Sequence, residues 1–430
     1  MLHFRRDSLG ALEDCHRRYG PLVAFGWPID TVIVFRPEDI RRVLVDNHDN
    51  YVKGAQTREL RVVMGEGLVT NDDRVSWARR RALVNHALGI TAVRAAVPVV
   101  EALADAAVAR LGAMGEVEIT REMRRLTFGI AARVFLGTSL TDDEAEQIDA
   151  AVLYASHVVH VHMFQMVPLP YGVPTPTHVR FARHCRALDA IVARLLAGAR
   201  AQGAPSTERP SILERLVFAR DPDTGAPLSD RELRDEIVTL LVAGYETTAN
   251  TLAWTLGLLA ADPAAQQRAR AEVDTAGLAS DVLTFPKSHP YLHAVLLESM
   301  RLYTAIPMTS HRTVAEDTLA GHRIPPRTNV VIPTWVVHRS PEHWVDPGRF
   351  EPARFECPVH RKDAYLPFSK GERGCVGQVF AMMELATVVT RLVAHLDLAS
   401  VAPELPRAVS EVSLKPSGPL RLRMTPRSRD

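Results

Sequence analysis

The sequence predicts a mainly α-helical fold with minor β-structure, and three observations carry that reading. Helical periodicity rich in Ala, Leu, Arg and Glu dominates from about Asp39 to Leu216. A run without proline from Asp230 to Ala261 reads as one helix of roughly 48 Å at 1.5 Å per residue. Strand-like alternation is confined to short runs, chiefly within "HRTVAEDTLAGHRIPPRTNVVIPTWVVHRS".

Taken in order, "PLVAFGWPIDTVIVF" places two apolar runs around a Gly-Trp-Pro turn and predicts an early hairpin. The helical stretch breaks at "VPLPYGVPTPT", Val167–Thr177, where four prolines forbid a regular helix. That segment reads either as a surface connector or as a mobile lid over an apolar pocket. "DPDTGAPLSD" ends in a capping box, Ser229 with Glu232, which opens the long helix; Asp262-Pro263 stops it and starts another. A helix over Pro290–Tyr303 precedes the small sheet, and an irregular, proline-rich region leads to Phe368. The last helix, "GQVFAMMELATVVTRLVAHL", sets Val379, Met382, Met383, Ala386, Val389 and Val393 on one stripe expected to be buried. With no repeat or linker in view, residues 1–430 read as a single domain.

Hydrophobic residues at 47% and charged residues at 23% place the chain among soluble globular proteins. With 51 Lys and Arg against 50 Asp and Glu, no global field attracts nucleic acid or an acidic membrane. Cys15, Cys185, Cys357 and Cys375 form no CxxC pair, which argues against a disulfide framework and for a reducing cytoplasm. The first twenty residues hold neither a signal-peptide core nor a membrane span, so no membrane anchor is expected.

The stretch Phe368–Ala381, "FSKGERGCVGQVFA", sets one cysteine among three glycines at the threshold of a helix. A thiolate is the form that binds metal, and the unpaired N–H groups of a helix N-terminus favour that anion. Gly371, Gly374 and Gly377 remove side chains that would hold the loop off a close-lying surface, and Arg373 adds a cation. Phe368 is placed to pack beneath a ligand and keep water from the sulfur. Cys375 reads as a metal ligand held against a large flat cofactor, the alternative being a free buried cysteine. The pattern Phe-x-x-Gly-x-Arg-x-Cys-x-Gly resembles the haem-binding signature of the cytochrome P-450 family. With average residue usage, a chance match at all five positions falls below about one in ten thousand. The resemblance implies that family's fold, with haem b buried between the long central helix and the cysteine loop. It also implies Cys375 as axial thiolate to the iron and dioxygen as co-substrate; such a ligand favours O–O cleavage over oxygen storage.

Within the long helix stands "LVAGYETTANT". Gly244 costs about 1 kcal/mol in a helix interior relative to Ala. A buried threonine can bond a carbonyl one turn back, loosening the helix and admitting water. Alone, this string is a small-residue crossing point with satisfied threonines. It also resembles the family's Ala/Gly-Gly-x-Asp/Glu-Thr motif at Ala243, Gly244, Glu246 and Thr247. The resemblance implies that Gly244 lets the helix pass close over the haem, that Thr247 hydrogen-bonds dioxygen or its water, and that Glu246 helps deliver protons.

"LLESMRLY" puts Glu298 and Arg301 three apart on one helix face, matching the family's Glu-x-x-Arg, and "PARF" supplies its later arginine, Arg354. These three are assigned to folding and haem retention. Haem propionates need cations, and Trp77 with Arg81 matches the family's Trp-x-x-x-Arg; Arg312 and Arg373 would complete the clamp. Arg79 and Arg80 are expected to stay outside and, with Lys370 and Arg373, to dock a redox partner. "GEGLVTN" at Gly65 lacks the third glycine and the βαβ context of a dinucleotide site. Electrons are therefore expected from a ferredoxin and its reductase.

The function implied is a monooxygenase acting on an apolar small molecule. A haem-thiolate isomerase, dehydratase or peroxide-using enzyme is the alternative, and a haem sensor the remotest. Matching positions suggest a pocket of Ala243, Thr247, Ile306 and Met308, with Tyr154–Phe164 and the tail segment "SLKPSGPL" around it. His157, His160 and His162 read as polar pocket or surface residues, their spacing being wrong for a metal site. A terpenoid, polyketide or fatty-acid-like compound of secondary metabolism fits such a lining. Ala305 departs from the family's usual proline in the loop expected to overhang the haem.

Overall fold

Ser229 opens the long helix as its capping box dictates: its Oγ accepts from the Glu232 N–H at 3.3 Å, and the Glu232 carboxylate accepts from the Ser229 N–H at 2.8 Å. The computed structural model describes residues 4, 7–26, 29–137, 140–163, 165, 169–203, 210–279, 281–356 and 363–427. Its principal helices are α1 (Ser8–Tyr19), α2 (Arg74–Ala87), α3 (Ile90–Met114), α4 (Ile119–Ala131), α5 (Asp142–Met163), α6 (Pro176–Ala201), α7 (Asp230–Ala261), α8 (Pro290–Leu302) and α9 (Gln378–His395). Helix α7 is buried on nearly every side beyond its charged first two turns and runs through the interior, where it packs on α4. Helix α9 packs on α3, and α5 on α6.

The β-structure is small. Strands β1 (Leu22–Phe25), β2 (Thr31–Val34) and β3 (Tyr51–Lys53) precede the helical body, and β4 (Gly115–Glu118) lies within it. Strands β5 (Thr309–Thr313), β6 (Asp317–Leu319), β7 (His322–Ile324) and β8 (Asn329–Ile332) follow α8. Strands β9 (Leu396–Ser400), β10 (Ala408–Ser410), β11 (Leu414–Pro416) and β12 (Arg421–Pro426) close the chain. The largest sheet has order β1-β2-β8-β5-β3, with β2 parallel to β8 and the other pairs antiparallel.

The expected hairpin is β1–β2, with Trp27 and Pro28 of its turn outside the described residues. Strands β3 and β4 interrupt the stretch read as helical. Each has only three or four residues and exists because β5 or β12, far along the chain, supplies its hydrogen bonds. The α9 stripe holds at Met383, Ala386, Val389 and Val393, but Val379 is 42% exposed and Met382 half-buried. Cys15, Cys185 and Cys375 are free thiols; Cys357 lies outside the described residues. Among the described residues no single helix is long and apolar enough to cross a membrane.

Candidate active site

The cysteine loop is drawn tight by its own backbone: Cys375 N–H donates to the Phe368 carbonyl at 2.9 Å, and Gly374 N–H to the Gly371 carbonyl at 3.0 Å. Gly371 has φ +71°, and a Cβ there would strike the Leu44 carbonyl oxygen. That glycine serves the turn and a neighbouring chain segment, not a flat ligand surface as its spacing suggests. Phe368 is half-buried against the main core. Cys375 is surrounded by protein yet keeps accessible surface. Burial pushes the thiol up, opposed by the Gly377 N–H and the Arg81 guanidinium. Two favourable groups do not overcome desolvation, and a metal cation would supply the remainder by displacing the proton.

From Asp235 to Ala260 every α7 residue is buried except Ala243, Gly244 and Thr247, which share one face. A Cβ at Gly244 would lie 2.7 Å from the Phe135 ring, so this glycine makes room for an aromatic edge. Phe135 in turn lies 5.1 Å, centre to centre, from Phe380 in the first turns of α9. One ring thus spans between the small-residue face of α7 and the helix that follows Cys375. Thr247 Oγ1 donates to the Ala243 carbonyl at 2.7 Å, and Thr251 Oγ1 to the Thr247 carbonyl at 2.9 Å. Glu246 is buried, and its Oε1 accepts from Ser413 Oγ at 2.8 Å. Burial raises its pKa, with the Ser413 hydrogen bond opposing.

Strand register sorts the expected cations. Lys53 stands opposite His311 across β3 and β5, while Arg312 pairs with Val52 on the other face. Arg312 therefore sits among Arg58, Asp72, Arg327 and Arg61, away from the clamp assigned to it. Lys53, His311, Arg81 and Arg373 face one another instead. Nothing local marks either Lys53 or His311 in the sequence: β5 reads Thr-Ser-His-Arg-Thr, with no apolar alternation to tell its two faces apart. The Trp77 indole N–H donates to the buried Leu68 carbonyl at 3.2 Å, and its ring supports Arg373, whose guanidinium lies 4.3 Å from the ring centre. Arg81 Nη1 donates to the Gly374 carbonyl at 2.8 Å, and Arg373 Nη1 to the Asn71 carbonyl at 2.9 Å.

Among the described residues Lys53 and His311 make no side-chain hydrogen bond or ion pair. Burial, then Arg373 and Arg81 against Asp72, takes the Lys53 ammonium down to about 7; burial, Lys53 and Arg373 take His311 down to about 3. A desolvated edge with more cations than carboxylates fits a ligand carrying two carboxylates, as haem does. Because the folded value lies below the ordinary 10.5, Lys53 opposes folding at low pH, and that opposition fades as pH rises from about 7 towards 10.5. A dianion restores the proton, so haem affinity of the apoprotein is expected to fall above pH 7 by up to about tenfold per unit. Reconstitution titrations should show this slope in the parent protein and a flatter one in Lys53→Met.

The surface cations expected to dock a partner are engaged elsewhere. Arg79 pairs with Glu232, and Arg80 is buried, donating to the Glu66 carbonyl at 2.6 Å with Glu236 at 3.4 Å. Lys370 pairs with Asp363 at 2.9 Å, and Arg373 is turned inward. The α2 cations thus tie that helix to the start of α7.

Glu298 and Arg301 are fully buried and joined by two hydrogen bonds of 2.7 and 2.8 Å. Arg354 Nε and the Glu351 N–H both donate to Glu298 Oε1 at 2.9 Å, while Arg301 Nη1 reaches the His338 and Pro347 carbonyls at 2.7 and 2.8 Å. The network binds α8 to the irregular segment before the cysteine loop.

A small, mostly apolar slot is lined by Leu60, Val63, Met64, Ser156, Val159 and Val242. Ile306 and Met308 are half-buried; Met308 packs against the cluster of α1 and the five-stranded sheet. Of the lid segment, Val167 and Pro168 lie outside the described residues, as does Phe164. His162 Nδ1 lies 2.9 Å from Glu59 Oε2 and stacks on Tyr171, 4.3 Å between ring centres, fastening α5 to the described part of the lid.

The cytochrome P-450 family model matches residues 1–423. Cyclooctat-9-en-7-ol 5-monooxygenase of Streptomyces melanosporofaciens is 32% identical over 87% of this chain and 81% of its own. Cyclooctatin synthase of the same organism is 28% identical over 91% and 85%. Putative cytochrome P-450 135A1 of Mycobacterium tuberculosis is 30% identical over 100% and 92%. With a match of this extent over a helical body that encloses a cysteine at the mouth of α9, the chain belongs to the cytochrome P-450 family and is an oxidoreductase of the monooxygenase type.

Proposed function

We propose that the protein holds haem b through Cys375 and oxidises an apolar, terpenoid-like small molecule, drawing electrons from a ferredoxin and its reductase in the cytoplasm. The observation that carries this reading is Cys375, surrounded by protein yet accessible, with the Gly377 N–H and Arg81 opposing the rise that burial gives its thiol. Once bound, haem supplies the activation of dioxygen that no side chain can perform. Arg81, Arg373, Lys53 and His311 would hold its carboxylates. Thr247 carries the only hydroxyl on the open face of α7; with its hydrogen on the Ala243 carbonyl, its oxygen would accept from a water there. Burial makes the neighbouring Glu246 carboxyl retentive of its proton, which suits a proton reservoir.

The substrate class rests on the names of the two Streptomyces relatives. Free cysteines support a reducing compartment, and a core cluster running from Val63 to Met424 supports one domain. The test is an optical titration of the ferric holoprotein with terpenes, polyketides, fatty acids and aromatics, followed by turnover with ferredoxin and reductase. A saturable spin-state shift with cyclic terpenoids, and product formation that needs both reductant and dioxygen, are expected. Turnover without either requirement would overturn the monooxygenase reading.

A further inference from the structure

We propose that Ser413, in the turn between β10 and β11, is the positioning residue that aims the Glu246 carboxyl for proton transfer. This rests on the monooxygenase reading above. A carboxyl buried on α7 needs a donor, and among the described residues the one that reaches it is the Ser413 hydroxyl, at 2.8 Å, from 167 residues along the chain. Asn250, one turn along α7 from Glu246, donates its Nδ2–H to Ser413 Oγ at 3.1 Å. A hydroxyl has a single hydrogen, so with Asn250 donating to its oxygen that hydrogen is directed at Glu246. Ser413 is itself held: it is 2% exposed, its carbonyl accepts from the Glu411 N–H at 3.0 Å, and the adjacent Leu414 N–H donates to the Ala305 carbonyl at 2.8 Å. The charged groups facing Glu246 are Lys415 and Glu411 on the hairpin and Arg124 on α4. Glu411 is already paired with Lys415 at 2.7 Å and lies 3.8 Å from His157. Helix α7 thus presents the acid, but the tail hairpin sets its direction. That same hairpin is clipped to the loop at Ala305, so the acid and that loop share one support.

The experiment compares Ser413→Ala, Ser413→Thr and the parent holoprotein, with Glu246→Gln to assign signals. Removing the donor should raise the Glu246 pKa, moving the turnover limb that depends on its proton upward by about one pH unit. More reducing equivalents should be lost to peroxide. Independently of turnover, the protonated-carboxyl band absent from Glu246→Gln should shift in infrared difference spectra of Ser413→Ala and persist to higher pH. Threonine should restore all three. Overturning results would be a band and pH limb unchanged in Ser413→Ala, or a loss of turnover equal at every pH. If the parent protein consumes no dioxygen with reductant, the monooxygenase reading fails, while the infrared comparison still decides whether Ser413 governs Glu246.

Discussion

Cys375→Ser is expected to give a folded chain that has lost the long-wavelength Soret band of the reduced carbon monoxide complex and nearly all turnover. The fold should survive because the loop is held by the Cys375 N–H and by Gly374, both backbone contacts that serine keeps. Turnover should fall by more than about a thousandfold, about 4 kcal/mol in the barrier, because a serine oxygen does not give the electron-rich sulfur ligation on which O–O cleavage depends. Thermal unfolding of the apoprotein, the reduced spectrum and product formation measured together would test this. An unchanged spectrum would remove Cys375 from the cofactor.

Glu298→Ala acts on stability instead of chemistry. It strands the guanidinium of Arg301, which is fully buried, and takes an acceptor from Arg354 and from the Glu351 N–H. Breaking a buried pair from one side costs about 3–5 kcal/mol, a large share of a typical net stability of about 5–15 kcal/mol. Urea unfolding of the apoprotein should show a much lower midpoint, with poor haem retention following because the network borders the segment that leads to the cysteine loop. The exposed pair Arg323–Glu316 is the control: Glu316→Ala should leave the midpoint in place, since water already screens both partners. Equal midpoints for the two variants would show that the buried network contributes little.

Both predictions concern residues that stand out in the amino-acid sequence. Cys375, Glu298 and Arg301 sit in short local patterns whose chemistry depends on spacing of three or a few residues, and a helix turn or a tight loop delivers that spacing wherever the segment lies. The capping box at Ser229 and the proline at 263 are equally local, and α7 begins and ends where they place it. The cationic edge proposed to hold the carboxylates is legible only in part. Arg81 and Arg373 stand out, but the sequence points to Arg312 over its neighbour His311, because which of two adjacent strand residues faces inward depends on pairing that the run itself does not state.

The sequence alone determined the helical class, the bounds of the long helix, the cysteine loop and the buried ion network, because these follow from caps, periodicity and contacts a few residues apart. Tertiary structure alone decided what joins at long range. It set Lys53 opposite His311, spent the Trp77 indole on Leu68, filled the space at Gly244 with Phe135, and brought Ser413 to Glu246. Each of these is a choice among several donors or ring edges that one-dimensional spacing leaves equal. Burial removes water as a competing partner and so makes one arrangement the stable one.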